Sequence, residues 1–523
     1  MELPAPLLSV AQVRALEARA LATAGAGGLV LMRRAAAASL QTLRAHWPEA
    51  RGFTVLCGGG NNGGDGWMMA RLGREAGFDA RVVWTTAPDA LRGEASQAAA
   101  EALAAGVPAD AFAASATETL SRAEVIVDAL LGIGLSAPVR APMVAAIEAI
   151  NAAGRPVLAL DVPSGLCADS GRVQGVAVRA DATVSFIALK AGLLLGAGPD
   201  HVGALSVDSL GVDPPQAHEI AWQRITRAQL RASIPRRRRD AHKGQGGHVF
   251  VVGGGEGMPG AARLAGEAAL RVGAGRVTVV CAESSATAIA ASRPELMVRS
   301  LGGDAAAVAA RASEWFTAAD VIVVGPGLGR DLWARRMLDA VRASGKPTVF
   351  DADALQLLDD GRDGGLPADS VLTPHPGEAA AMLGLTSAAV QADRPAALRA
   401  LIDRHAAVVV LKGAGTLIGQ RGRVPQICDR GHPVLAAPGT GDVLAGAIGG
   451  LWAQTGDVWA ATTSAVWVHA RAGERLAHAV DRGVLAGEVA AELPTALAEA
   501  LSADTLAAGA MAAGAAGAAG AAS

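Results

Sequence analysis

The feature that most constrains the fold is an alternation that occurs twice along the chain. Short β-branched runs are each followed by an Ala-rich stretch suited to a helix. That pattern calls for parallel sheets covered by helices, an α/β architecture. In the first segment the strand candidates are Phe53–Cys57, Ala80–Trp84, Val125–Asp128, Val157–Asp161 and Ala182–Ile187. In the second they are His248–Val252, Val277–Cys281, Val321–Val324, Thr348–Asp351 and Val408–Leu411. Between the segments, residues 213–243 hold paired prolines, a polar stretch and the run Arg236–Arg239, which reads as a boundary. The arginine run has two readings, a phosphate patch and a solvated linker, and the second is preferred.

At about 150 residues per domain, a chain of 523 residues holds two or three domains. The division expected is 1–215, a linker at 216–240, 241–505, and a tail at 506–523. The tail is almost pure Ala and Gly, a low-complexity appendage rather than a membrane span, because small residues supply little transfer energy. A net charge of −3 on a balanced background predicts neither a nucleic-acid nor a membrane partner. The first residues, Met1 to Pro6, lack a basic region before an apolar stretch, which argues against a secretory signal. Cys57, Cys167, Cys281 and Cys428 are too widely spaced for a metal-ligand pair or a disulfide framework. A cytoplasmic protein is expected.

Each segment carries its own glycine-rich loops, and the two sets differ, so two distinct sites are expected rather than one duplicated site. In the first, Phe53–Cys57 leads into Gly58-Gly-Gly-Asn-Asn-Gly-Gly-Asp-Gly66, and a helical stretch follows from Trp67 to Ala76. Such a turn brings backbone N–H groups and a helix N-terminus against a phosphate. The polar Asn61, Asn62 and Asp65 exceed what a structural turn needs. Asp128 precedes the flexible loop Leu130 to Pro138, and Leu160-Asp161-Val-Pro-Ser164-Gly165 ends another strand in an acid and a hydroxyl. Each Asp alone reads as a loop cap. Together, at the carboxyl ends of parallel strands, they read as one crevice.

These three motifs resemble the NAD(P)H-hydrate epimerase domain over about residues 8 to 210. The resemblance implies a Rossmann-like sheet. It implies that Asn61, Asn62, Gly63, Gly64, Asp65, then Gly132, Ile133, Gly134, Leu135, Ser136, Ala137 and Pro138, and also Asp161, bind a hydrated dinucleotide. Asp161 is the expected catalytic group, and Asn62, Asp128 and Ser164 are the expected ligands of a potassium ion. Amide, carboxylate and hydroxyl oxygens suit a hard cation. Two residues depart from the family pattern, Arg33 in Leu31-Met-Arg33 and Trp67.

In the second segment, Lys243-Gly-Gln-Gly-Gly-His248 enters a strand ending in Gly253-Gly-Gly-Glu-Gly-Met-Pro-Gly-Ala261. Gly325-Pro-Gly-Leu-Gly329, Asp351-Ala-Asp353, Thr373-Pro-His-Pro-Gly-Glu378, Lys412-Gly-Ala-Gly-Thr416 and Gly439-Thr-Gly-Asp442 follow in order. The last opens a helix, placed from Val443 to Leu451, whose N-terminus suits charge developing on a phosphoryl group. Asp442 reads either as a general acid or base or as an acid that stabilises its own helix. The Lys412–Thr416 motif upstream favours catalysis. His375, between two prolines, reads as a held binding group or as part of a plain turn.

The six motifs resemble the ADP- or ATP-dependent NAD(P)H-hydrate dehydratase, of the ribokinase-like superfamily, over roughly residues 240 to 500. The resemblance implies that Lys412, Gly413, Ala414, Gly415, Thr416 and Gly441 contact the adenine nucleotide. Ala261, Gly327, His375 and Asp442 would contact the hydrate. It implies ADP as co-substrate with Mg2+, ATP remaining open. His432, Val434 and Pro438 depart from the family pattern before the intact Gly439–Asp442. The reading is therefore a metabolite-repair enzyme, isomerase and lyase on one chain and a homo-oligomer. It acts on hydrated NADH and NADPH, epimerising the R and S hydrates and dehydrating the S epimer. Two rivals are a small-molecule kinase on the same superfamily fold and an N-terminal half that only binds or dimerises. The epimerase-like half and the Thr373–Glu378 loop count against the first. The oxygen set of Asn62, Asp128, Asp161 and Ser164 counts against the second.

Overall fold

The structure is a computed structural model that describes residues 3–24, 27–113, 116–135, 137–300, 305–358 and 365–502. Ser136 and the Ala/Gly tail lie outside the described residues. The chain forms two compact units: Met1–Ile225 with Pro374–Asp429, and Thr226–Thr373 with Arg430–Ser523.

The first unit is built on a parallel seven-stranded sheet. Its order is Ala109–Ala111, Asp79–Trp84, Gly52–Cys57, Ile126–Ala129, Val157–Leu160, Ala182–Phe186, Ala204–Asp208. The five strands read from β-branched runs are present with shifted ends. The two edge strands, Ala109–Ala111 and Ala204–Asp208, were not anticipated, since neither is an apolar run and both are partly exposed. Alternation along the central strands divides the core. Phe53, Val55 and Cys57 face Trp67, Met68 and helix Gly28–His46 on one side. Leu56 and Ile126 face Ile147 and Ile150 on the other.

The same unit holds a mixed set of short strands. Val408–Leu411, Thr416–Gly419 and Gln426–Cys428 are antiparallel neighbours. Trp222–Arg224 pairs parallel to Gln426–Cys428, Pro6–Leu8 pairs antiparallel to Trp222–Arg224, and Leu189–Lys190 pairs parallel to Pro6–Leu8. The stretch expected as a linker thus supplies a strand to this unit, and from Thr226 on it supplies the second unit with helix Arg227–Ser233, capped by the Thr226 hydroxyl. Arg224 is buried and pairs with Asp429 at 3.2 Å, which supports that strand's burial.

The second unit carries a parallel six-stranded sheet. Its order is Met297–Ser300, Arg276–Cys281, His248–Val252, Val321–Val324, Thr348–Phe350, Ser370–Leu372. Helices Pro259–Arg271 and Thr440–Thr455 lie against each other. Gly446 sits on Ala265 and Gly450 on Ala269, so four residues along one helix correspond to four along the other. The helices therefore run parallel, with both N-termini at one end. A Cβ on Gly446 would strike the Ala265 carbonyl oxygen. Gly446→Ala should force the helices apart and destabilise the unit by about 1–3 kcal/mol. The denaturant midpoint of the corresponding unfolding transition, read by circular dichroism, checks this.

Candidate functional site

In the first unit, the strands' carboxyl ends open into a cavity of about 800 Å³. Helix formation there differs from the sequence expectation. The turn is confined to Gly58–Gly60, and the helix begins at Asn61 and runs to Glu75, so Asn61–Asp65 form its first turns instead of a loop. The glycines inside it serve contact rather than bending. A Cβ on Gly63 would meet the Gly58 carbonyl, and one on Gly64 would meet the Met32 side chain and Ala95. Asn61, Asn62, Asp65, Gly132, Ile133, Gly134, Leu135, Ala137, Pro138 and Asp161 line the cavity, whereas Gly63 and Gly64 are buried beside it. Gly132 lies between Asn62 and Asp161: a Cβ there would sit 3.3 Å from Asn62 Cβ and 3.5 Å from Asp161 Oδ2.

Asp161 has φ +65°, rare for a residue with a side chain, and Val162 N–H donates back to Leu160 O at 2.8 Å. This is a tight three-residue γ-turn at the strand end, the kind of local strain that gathers at functional sites. On the adjacent strand, Ile187 has φ +67° and Ala188 N–H donates to Phe186 O at 2.7 Å, a second such turn. The turns bring Lys190 back onto Asp161. The Lys190 ammonium is fully buried and donates to Asp161 Oδ1, to Ser185 Oγ at 3.0 Å and to Phe186 O at 2.7 Å. Its three N–H bonds are thereby satisfied. Lys190 was missed in the sequence, although a single lysine in the apolar run Phe186 to Leu195 was the available signal.

Two further acids face the cavity. Burial first and the Asp161 charge second push the Asp65 carboxyl well above its usual range. Burial and Asp161 also raise Glu17, another lining residue the sequence reading did not name. The cavity therefore combines one paired carboxylate with two carboxyls biased toward holding protons.

Asn62 and Ser164 meet at the Leu131 backbone, and Asp128 holds Ser164 there. Leu131 O accepts from Asn62 Nδ2 at 3.1 Å and from Ser164 Oγ at 3.2 Å. Asp128 Oδ1 accepts from Ser164 Oγ at 2.6 Å, and its Oδ2 from Ser164 N–H at 2.7 Å. Burial raises the Asp128 carboxyl to about 6, against the lowering effect of those bonds. Asn62 Oδ1 is buried with no hydrogen-bond partner among the described residues, an acceptor left over in an oxygen-rich corner. Among the described residues no cluster of three or more His, Cys, Asp or Glu side chains is arranged to hold a metal ion. Of the two departures, Trp67 is entirely buried in the core, and Arg33 pairs with Glu101 on the surface.

His375 and Lys412–Thr416 also belong to the first unit. His375 caps helix Pro376–Leu383: Nδ1 accepts from Gly377 N–H at 2.9 Å, and Glu378 Oε2 accepts from His375 N–H at 2.7 Å. The proline frame thus serves a capping box. In Lys412–Thr416, Lys412 N–H donates to Pro374 O at 3.0 Å, and Gly196 N–H donates to Ala414 O at 3.3 Å. Gly415 has φ +65°, and a Cβ there would strike Leu194 O.

In the second unit, the loops at 253–258 and 325–329 are laced together by Gly254 N–H to Pro326 O at 3.1 Å and Gly255 N–H to Gly327 O at 2.7 Å. A Cβ on Gly327 would lie 3.0 Å from Ala261 Cβ, so the structure brings these two predicted residues together. Ala352, between Asp351 and Asp353, has φ +47°, again at a strand end. Its flanking acids are engaged by Thr373 Oγ1 at 2.7 Å and Gly329 N–H at 2.9 Å. The helix expected from Val443 begins at Thr440, with Gly439 at φ +89° as its cap, so Gly441 and Asp442 lie in its first turn. Thr440 Oγ1 donates to Leu435 O at 2.7 Å, and His469 Nε2 donates to Thr440 O at 2.9 Å. His432 Nδ1 accepts from Val434 N–H at 3.3 Å, which holds the variant segment before Pro438 in a short turn.

The buried pair of the first unit gives a stability test. Lys190→Met leaves Asp161 buried without its cation and should cost about 3–5 kcal/mol. Asp161→Asn tolerates the left-handed backbone, and adding it to Lys190→Met should recover much of that loss. Thermal unfolding of the single and double variants checks this. Equal losses in both would show that the charge pair is not what holds this corner.

The comparisons agree with the division into two unlike sites. Residues 28–192 match the family model described as YjeF-related protein N-terminus, and residues 249–495 match that of NAD(P)H-hydrate dehydratase. The bifunctional NAD(P)H-hydrate repair enzyme Nnr of Coxiella burnetii is 43% identical over 486 residues, 91% of this chain and 96% of its own. That of Escherichia coli is 40% identical over 461 residues, 88% and 87% of the two chains. Among solved structures, the ADP/ATP-dependent NAD(P)H-hydrate dehydratase of Bacillus subtilis crystallised with ATP and Mg2+ is 28% identical. It covers 53% of this chain and 97% of its own, with a TM-score of 0.47. With identity of that order across nearly the whole of both chains, this chain belongs to the family of bifunctional NAD(P)H-hydrate repair enzymes.

Proposed function

We propose that the chain repairs hydrated NADH and NADPH. Residues 1–215 interconvert the R and S hydrates, and residues 241–505 dehydrate the S epimer to NAD(P)H at the expense of ADP. The single observation that carries the reading is the cavity in which Asp161, held by Lys190, faces the Asn61–Asp65 helix start, within a chain whose second unit carries an unlike set of loops. A dehydratase that accepts one epimer strands the other, and an epimerase on the same chain recycles it. Phosphorylating the added hydroxyl makes it a far better leaving group, which is why a kinase-like site serves a lyase.

In this reading Asp161 is the catalytic group of epimerisation, and Asn61–Asp65 and Gly132–Pro138 hold the dinucleotide. Asn62, Asp128 and Ser164 fit a potassium ion, because Asn62 Oδ1 is an unused buried acceptor beside a carboxylate and a hydroxyl. Bound there, the cation would supply positive charge near the substrate. In the other half, Asp442 is the acid–base group, Ala261, Gly327 and His375 contact the hydrate, and Lys412–Thr416 with Gly441 contact ADP, used with Mg2+. ATP is the alternative donor. Among the described residues no helix is long and apolar enough to cross a membrane. A cytoplasmic homo-oligomer completes the proposal.

Two variants separate the activities. With mixed epimers of hydrated NADPH and ADP, Asp161→Ala should let absorbance at the reduced-nicotinamide band recover only partway, leaving one epimer behind. Equal loss of both epimers' repair would sink the two-site assignment. Asp442→Asn keeps size and helix start but removes the proton-accepting charge. It should lower dehydration of the S epimer by about 10²–10⁴-fold and leave epimerisation untouched. Unchanged turnover at saturating ADP would return Asp442 to a helix-stabilising role.

A further inference from the structure

Helix Arg394–Arg404 begins with a residue that ordinary folding energetics disfavours. Arg394 is 3% exposed and sits in the first turn, the positive end of the helix dipole. No carboxylate partners it among the described residues. Its guanidinium donates to Ala414 O and, at 3.0 Å, to Leu411 O, and its buried Nε–H has no acceptor among the described residues. The adjacent Asp393 uses its carboxylate to cap the helix, accepting from Ala396 N–H at 2.9 Å. Burial without a counter-charge pulls the Arg394 pKa down to about 10. Tying two carbonyls together needs only donors, which a neutral amide also carries. The positive charge is the part that loop stapling leaves unexplained.

The guanidinium lies directly against Gly413, where a Cβ would come 2.9 Å from Nη2 and where φ is +142°. The Lys412–Thr416 loop is thus wrapped over a buried cation. We infer that Arg394 is a positioning residue for the nucleotide: it fixes the Leu411 and Ala414 carbonyls and supplies the standing positive charge that the phosphates of an adenine nucleotide meet at this loop. The inference rests on the proposed assignment of Lys412–Thr416 to the nucleotide. The ligand's negative charge then completes a pairing that the described residues leave open.

The test compares a charged and an uncharged ligand, ADP and adenosine, by titration calorimetry on the full chain at two salt concentrations. Arg394→Gln keeps a donor and removes the charge. Arg394→Lys keeps the charge and loses the fork. Arg394→Gln should weaken ADP binding by about tenfold or more, flatten its salt dependence, and leave adenosine nearly unchanged. Arg394→Lys should recover most of the ADP affinity. Equal weakening of ADP and adenosine in Arg394→Gln, with no recovery in Arg394→Lys, would reduce Arg394 to a loop staple and overturn the inference. Wild-type protein that binds neither ADP nor ATP would instead overturn the nucleotide assignment itself, a result separable from the first because it needs no variant.

Discussion

Main chain packed directly on main chain is the constraint on which both candidate sites depend. Gly58 lies against the Leu130 carbonyl, Gly325 against the Asp351 carbonyl and Gly415 against the Leu194 carbonyl, each too close for any side chain to intervene. Where loops approach at that distance, their N–H groups and carbonyls must find each other or remain unpaired in a space that water cannot enter. The Gly254 and Gly255 bonds to Pro326 and Gly327 are one such solution. The glycine content is the requirement for such contact, and the polar residues embedded among the glycines are held as firmly as the loops are.

Charge completes what close packing begins. Two γ-turns on neighbouring strands aim Asp161 and Lys190 at each other, and the ammonium uses every N–H it has. That leaves it no proton to offer a ligand without breaking an existing bond. Burial first, and the nearby Asp161 carboxylate second, disfavour ionisation of Asp65 and Glu17.

The sequence made the sheets legible because apolar runs such as Val249–Val252 and Val321–Val324 are buried on both faces and carry no polar interruption. It failed at Ala109–Ala111 and Trp222–Arg224, whose strand state comes from neighbours remote in the chain. The glycine motifs pointed to the residues that line the cavity, yet they placed Asn61–Asp65 in a loop. Nothing local showed that Gly63 and Gly64 are helix-packing glycines. Lys190, Glu17 and Arg394 went unnamed for a related reason. A lone charge in the sequence reveals its burial only when the chain is folded over it. His375 read from its proline frame as a binding group or as part of a plain turn, and the structure shows its imidazole capping a helix end.

The membership of 374–429 in the first unit bears on how two activities come to share a polypeptide. Strand Gln426–Cys428 has Trp222–Arg224 as its parallel neighbour, and the Ala414 carbonyl takes its hydrogen bond from Gly196. Cleaving the chain near residue 240 would therefore not release two self-sufficient halves. One fragment would keep the unpaired edge of Trp222–Arg224, and the other would expose backbone around Gly415 that Leu194 now covers. A chain carrying one half alone needs another covering for that seam.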